Sequence, residues 1–137
     1  MKKIVRFGIS LEEKLLGDFD KLIKGKRYSN RSEAIRDMIR DSLVSEEWKK
    51  GKDVAGAISL VYDHHKRELM DVIIDIQHDY HDMIVASQHA HLDHHNCLEV
   101  IIVRGISDRI KMLSDKLRSV KGVKHGSLTL TTLGKNL

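Results

Sequence analysis

The chain is poor in cysteine, has no long apolar run, and carries no histidine before residue 51. One cysteine, Cys97, excludes an internal disulfide. Its thiol is then a small buried hydrophobe, a reactive nucleophile or a metal ligand. No apolar run reaches the roughly 18 residues that a spanning helix needs. The opening MKKIVRFGIS is too short, and too polar past its start, for a signal peptide. No membrane partner and a cytoplasmic location are therefore expected. With 41% hydrophobic and 32% charged residues in a length of 137, the composition excludes a disordered chain and suits one ordinary domain or two small ones.

Charge and histidine divide the chain in opposite ways. Residues 1–50 hold 13 Lys/Arg against 9 Asp/Glu, whereas residues 51–137 are balanced at 11 against 11, so the net +4 resides in the first part. Eight of the nine histidines fall between His64 and His95. The polar SEEWKKGKD, residues 45–53, stands where the composition changes and reads as a linker. Two domains are expected, 1–48 and 53–137.

In the first domain, Val5, Phe7, Ile9 and Leu11 alternate with Arg6, Gly8 and Ser10, which predicts a short strand with the Arg6 side facing outward. Ser10 and Glu13 have capping-box spacing, so a helix is expected to start there, with Leu15, Leu16, Phe19, Leu22 and Ile23 as its apolar stripe. KGKRYSN breaks it at Gly25. Asn30 and Glu33 repeat the capping spacing, and Ala34, Ile35, Met38, Ile39 and Leu43 give a second helix its buried face. A lone strand has no ladder partner, and some fifty residues bury too little core to stand alone. The segment should dimerise by pairing its strand antiparallel with a second copy, making a two-stranded ribbon of a width that the DNA major groove admits. The plainer alternative is a dimerisation module with a solvated basic face.

The second domain reads in order as strand (GAISLVYDH), helix (Leu69, Val72, Ile73 and Ile76 on one face), strand (MIVASQHAHL), strand (CLEVIIVRG), helix (Ile110, Leu113, Leu117, Val120) and strand (KHGSLTLTTL). This β-α-β-β-α-β order is the ferredoxin-like one, so the chain as a whole is α+β. The strands in the middle of that order are joined by DHHN, which is turn chemistry.

If that turn centres on His94, His91 faces Cys97 and His89 faces Glu99. Directly opposed residues share a face with Cβ atoms about 4.5–5.5 Å apart. Two imidazoles and a thiol then converge into a metal site lacking one ligand, with Glu99 beside them to orient an imidazole. A catalytic Cys/His pair is the rival reading, but a site borne on strands in a small α+β domain offers no evident oxyanion hole or substrate cleft. His94 and His95 belong to the turn and should be solvent-exposed.

The motifs RFGISL, YSNRSEAIRDMIR, YDHHKREL, QHAHLDHHNCLEVIIVRG and GVKHGSL, together with the H-x-H-x5-C spacing, resemble the nickel-responsive transcriptional regulators of the NikR family over nearly the whole chain. The first domain by itself resembles the ribbon-helix-helix repressors, and the second is expected to be of the ACT type. The resemblance implies base-facing positions at Arg6, Gly8 and Ser10 and a phosphate anchored at the start of the second helix, Asn30 and Arg31. Further phosphate contacts are implied at Lys66 and Arg67, for which two solvated helix charges are the plain alternative. It also implies a homotetramer, a dimer of dimers, binding one Ni(II) per subunit through His89, His91 and Cys97 of one chain and His78 of a facing chain. Planar nitrogen and thiolate donation suits Ni(II) or Cu(II), whereas Zn(II) prefers a tetrahedron. In some relatives, acidic positions matching Glu33 and Asp37 help to bind a cation between the domains. His64, His65, His81 and His125 remain as weaker metal sites or ordinary surface histidines.

The expected function is nickel-dependent repression of nickel-uptake genes through double-stranded operator DNA, without catalysis. Alternatives are a sensor of another metal such as copper, cobalt or zinc, a nickel storage or delivery protein, and an amino-acid sensor of the ACT type.

Overall fold

The structure, a computed structural model, describes residues 2–137. It divides into two compact units, one ending at Asp41 and the other spanning Ser42–Leu137.

The first unit holds helix α1 (Glu13–Gly25) and the start of α2 (Arg31–Lys49). Residues 2–12 carry no regular structure, so the expected strand is not formed within the chain. The reason is physical: a strand exists through its ladder, and no other segment of this unit supplies one. Val5, Phe7 and Ile9 accordingly stand 74%, 70% and 59% exposed. The Ser10 cap is not made either; α1 starts after Glu12, with no side-chain cap. At α2 the expected cap is present, with Glu33 N–H donating to Asn30 Oδ1 at 2.9 Å. The helix break falls at Gly25 as expected, although the residue that takes the left-handed conformation is Arg27 (φ 64°). Among the described residues of this unit only Ile23 and Ala34 are buried, while Leu15, Leu22, Met38 and Ile39 remain about half exposed. The expected apolar stripes exist but find no interior in one copy of so small a unit.

The second unit is a four-stranded antiparallel sheet in the order β2-β3-β1-β4, from β1 (Asp53–Tyr62), β2 (Ile84–His91), β3 (Cys97–Ile106) and β4 (Val123–Thr131). Helices α3 (Arg67–Asp79) and α4 (Ser107–Arg118) supply the βαββαβ order. Val54, Ile58, Leu60 and Tyr62 of β1 and Cys97, Glu99, Ile101 and Val103 of β3 are buried on one face, packed with Leu69 and Ile73 of α3 and Ile110, Leu113 and Leu117 of α4. Val72, expected on the buried face of α3, is 45% exposed, while Ile76 is partly buried against the core. Gly122, at φ +102°, closes the turn into β4 with a conformation that L side chains resist.

Residues 45–53 do not form a free linker. Residues 45–49 complete α2, and Trp48 is 2% exposed within the core of the second unit. Its indole N–H donates to the Thr131 carbonyl at 2.8 Å, and Ser107 Oγ donates to the Trp48 carbonyl at 2.9 Å. One large aromatic among charged neighbours outweighs the polarity of the stretch, because its apolar area is recovered only by burial.

Candidate metal centre and nucleic-acid interface

A tight turn joins β2 to β3. The N–H groups of Leu92 and Asp93 donate to the Asn96 carbonyl at 2.9 and 3.3 Å, and Asp93 Oδ1 accepts from the His95 and Asn96 N–H groups at 2.8 Å each. This turn sets the register: His91 lies opposite Cys97 and His89 opposite Glu99. All four therefore belong to the sheet face that carries the buried Cys97 and Glu99.

Around Glu99, only 1% exposed, three groups gather. Tyr62 Oη donates to Oε1 at 2.7 Å, Gln77 Nε2 donates to Oε2 at 2.9 Å, and His89 Nε2 lies 3.3 Å from Oε2. Burial pushes the Tyr62 phenol well above its ordinary range, and the bond to Glu99 adds to this. Cys97 is fully enclosed. Burial raises its thiol too, against the Tyr62 hydrogen bond, and the Glu99 and Asp63 charges push it further up. The His91 ring stacks on His64 with centroids 4.2 Å apart and planes 9° off parallel. Burial, with His65 and His91 nearby, lowers the His64 imidazole below its usual range, and its Nδ1 is enclosed without a hydrogen-bond partner.

The expected convergence of His89, His91 and Cys97 thus exists in the backbone register but not in the side chains as they stand. Among the described residues, no three His, Cys, Asp or Glu side chains are arranged to hold a metal. His89 turns to Glu99 and Tyr62, and His91 turns to His64. The donor set still fits a thiophilic divalent ion by its chemistry, two imidazoles and a thiol carried on adjacent strands in facing register. The charge of the ion would supply what burial denies the thiolate.

His78 occupies the last turn of α3, exposed, with its ring 5.8 Å from His81. No hydrogen bond or ring contact within the described residues joins it to the other three. His94 and His95 are exposed in the turn, as expected. Sequence reasoning missed Tyr62 and Gln77 as partners of Glu99, and His64 as the neighbour of His91. Tyr62 lies opposite Cys97 across β1–β3, a pairing that depends on sheet order rather than on any local signal.

In the first unit Arg6, Gly8 and Ser10 are exposed. Arg31 makes a fork to Asp20, with Nε and Nη2 donating at 2.9 Å each, and this bond holds the Asp20 carboxyl below its usual range. Glu33 and Asp37 line a shallow hollow with Tyr28, Arg36 and Arg40, and Tyr28 Oη donates to Asp37. In the second unit Lys66 and Arg67 open α3 and line a cleft with Lys121.

Comparison with known proteins adds the family. Residues 55–131 match the model of the NikR C-terminal nickel-binding domain, and residues 5–46 match that of the ribbon-helix-helix proteins of the copG family. A provisionally named nickel-responsive regulator from Syntrophus aciditrophicus is 54% identical over 135 residues, covering 98% of each chain. Another, from Thermococcus kodakarensis, is 52% identical over 136 residues, covering 98% of this chain and 99% of its own. An uncharacterized protein of Thermotoga maritima shares the fold over 58% of this chain and 98% of its own, with a TM-score of 0.53 at 14% identity. No helix of the described residues is long and apolar enough to cross a membrane. The chain belongs to the nickel-responsive regulators, non-enzymatic transcription factors that join a ribbon-helix-helix DNA-binding unit to a NikR C-terminal nickel-binding domain.

Proposed function

We propose that the protein is a cytoplasmic, nickel-dependent repressor of nickel-uptake genes, in which bound Ni(II) raises affinity for a double-stranded operator. The observation that supports this best is the β2–β3 register, which sets His91 opposite Cys97 and His89 opposite Glu99 at the end of one hairpin. His89, His91 and Cys97 of one subunit, completed by His78 of a facing subunit, would hold one Ni(II) per chain. Glu99 orients His89 from behind. Nitrogen and thiolate donors in that number suit square-planar Ni(II).

A ligand contributed from a second chain links metal to assembly, and the assembly we infer is a homotetramer built as a dimer of dimers. The sheet face opposite the helices supports it: Leu98, Val100 and Ile102 of β3 and Ala55, Ala57 and Val61 of β1 are only partly covered there. A metal that bridges chains stabilises one arrangement of that tetramer, and a DNA affinity tied to the arrangement follows by linkage.

Functionally, residues 1–48 address DNA and residues 53–137 address the metal, although the tail of α2 packs with the latter. At the paired ribbon either Arg6 and Ser10 read base edges or Gly8 lets the backbone approach, and Asn30, Arg31, Lys66 and Arg67 meet phosphates. Glu33 and Asp37 hold a further cation.

An absorption titration of the reduced, metal-free protein with Ni(II), run beside Cys97→Ala, tests the metal half. A thiolate-to-nickel band that saturates at one metal per chain in the wild type, and is missing from the variant, is expected. The DNA half is tested by operator binding of Arg6→Ala with nickel present, where loss of the sequence-specific complex is expected. A wild type without the band, or a variant that equals it, refutes the nickel site.

A further inference from the structure

Four histidines from two loops and His91 at the end of β2 form a continuous ladder at the hairpin. His95 contacts His94 with ring centroids 4.8 Å apart, His94 contacts His65 at 5.0 Å, His65 contacts His64 at 4.2 Å, and His64 stacks on His91 at 4.2 Å. The ladder starts on exposed side chains and ends on the residue that faces the fully enclosed Cys97. The two loops are also tied to each other, because His65 Nε2 lies 2.8 Å from the His94 carbonyl oxygen.

Apart from that His65 contact, each loop is held by side chains other than histidine. Asp93 holds the hairpin turn through the N–H groups of His95 and Asn96 and the Asn96 side chain. Asp63 does the same on the other loop by accepting from the His65 N–H at 2.9 Å. Two aspartates thus brace the loop backbones that carry the first four rings, which touch in sequence from His95 to His64 and then His91. Imidazole nitrogens bind divalent transition ions at about 2.0–2.1 Å, so two of them sharing an ion sit some 3–4 Å apart. Adjacent rings of the ladder stand with centroids 4.2–5.0 Å apart, so neighbouring imidazoles are close enough for an ion to be handed from one to the next as the side chains turn.

We infer that His95, His94, His65 and His64 form a capture and transfer path that takes a hydrated divalent transition-metal ion from solvent and passes it, by successive ligand exchange, to His91 and Cys97. The inference rests on the nickel-site reading above. Each step exchanges one imidazole or water for the next with no redox change, and in the last step the Cys97 thiol gives its proton to water as its sulfur replaces one such ligand. Pairs of histidines suffice for such transient sites. Exposed donors beside the site raise the local concentration of metal in the way that a second binding element does. His64, with Nδ1 enclosed and unpartnered, is the step between the open loops and the buried thiol.

The test is stopped-flow mixing of Ni(II) with the reduced, metal-free, full-length protein, following the thiolate-to-nickel band, in wild type and in the triple variant His65→Asn, His94→Asn, His95→Asn. A transfer path lowers the association rate of the variant severalfold and slows chelator-driven release by the same factor, because the path serves both directions. The final absorbance and the saturating stoichiometry stay those of the wild type. Unchanged rates overturn the path, and so does slower uptake with unchanged release, which would mark these histidines as ligands of the bound state. A wild type with no band at all sinks the nickel site and the path with it, whereas a normal band with unchanged rates sinks the path alone. Far-UV circular dichroism of the variant checks that the hairpin is intact.

Discussion

Tyr62 Oη donates a 2.7 Å hydrogen bond to Glu99 Oε1, with Tyr62 fully enclosed and Glu99 1% exposed. A buried carboxylate persists only where its lone pairs are answered, and here a phenol, an amide and an imidazole answer them. Tyr62→Phe keeps the ring and removes one donor. It is expected to cost about 1–3 kcal/mol, the penalty for leaving a buried acceptor unpaired. The denaturation midpoint in urea reads this directly, and an unchanged midpoint shows that Glu99 has found a replacement partner.

Trp48 ties the end of α2 to the sheet through packing and through its bond to the Thr131 carbonyl. Trp48→Ala opens a large cavity in the second unit and should cost about 3–5 kcal/mol. Trp48→Phe keeps most of the apolar area but orphans the carbonyl, for about 1 kcal/mol. Guanidinium unfolding followed by circular dichroism separates the two; equal losses would mean that the hydrogen bond, and not the packing, carries the anchor.

The exposed Val5, Phe7 and Ile9 predict that the N-terminal segment folds only against a second copy. Phe7→Asp places a charge in that paired face. The expected result is an assembly of half the wild-type mass by sedimentation, together with loss of operator binding. A variant that retains both mass and binding shows that the ribbon is not the dimer contact.

Local chemistry is what the sequence displayed well. The β2–β3 register was legible because a short turn and period-two alternation determine it within a dozen residues, and the Asn30 cap was legible for the same reason. The Ser10 cap was not, since the chain before α1 has no structure of its own to start the helix from, and the helix begins after Glu12. Trp48 was hidden among charged neighbours because burial is a tertiary property. Tyr62, Gln77 and His64 reach the site from β1, α3 and the loop between them. Their nearness to β3 follows from the strand order β2-β3-β1-β4, which the βαββαβ succession implies for the backbone but which does not say which side chains meet across it.

The fork between Arg31 and Asp20 sets a competition at the start of α2. A phosphate at that position has to draw the guanidinium from a carboxylate already bound in good geometry, both groups being half exposed. Asp20→Asn removes the competitor and is expected to tighten DNA binding and steepen its dependence on salt. Arg31→Ala should lower the slope of log K against log salt by about 1, the signature of one lost phosphate contact. It should weaken operator and non-operator DNA alike, because a phosphate contact carries no sequence information, whereas Arg6→Ala should weaken the operator alone. If the slope of Arg31→Ala matches the wild type while its melting temperature drops, Arg31 serves to hold α1 against α2, and the phosphate is anchored by the backbone N–H groups that open α2.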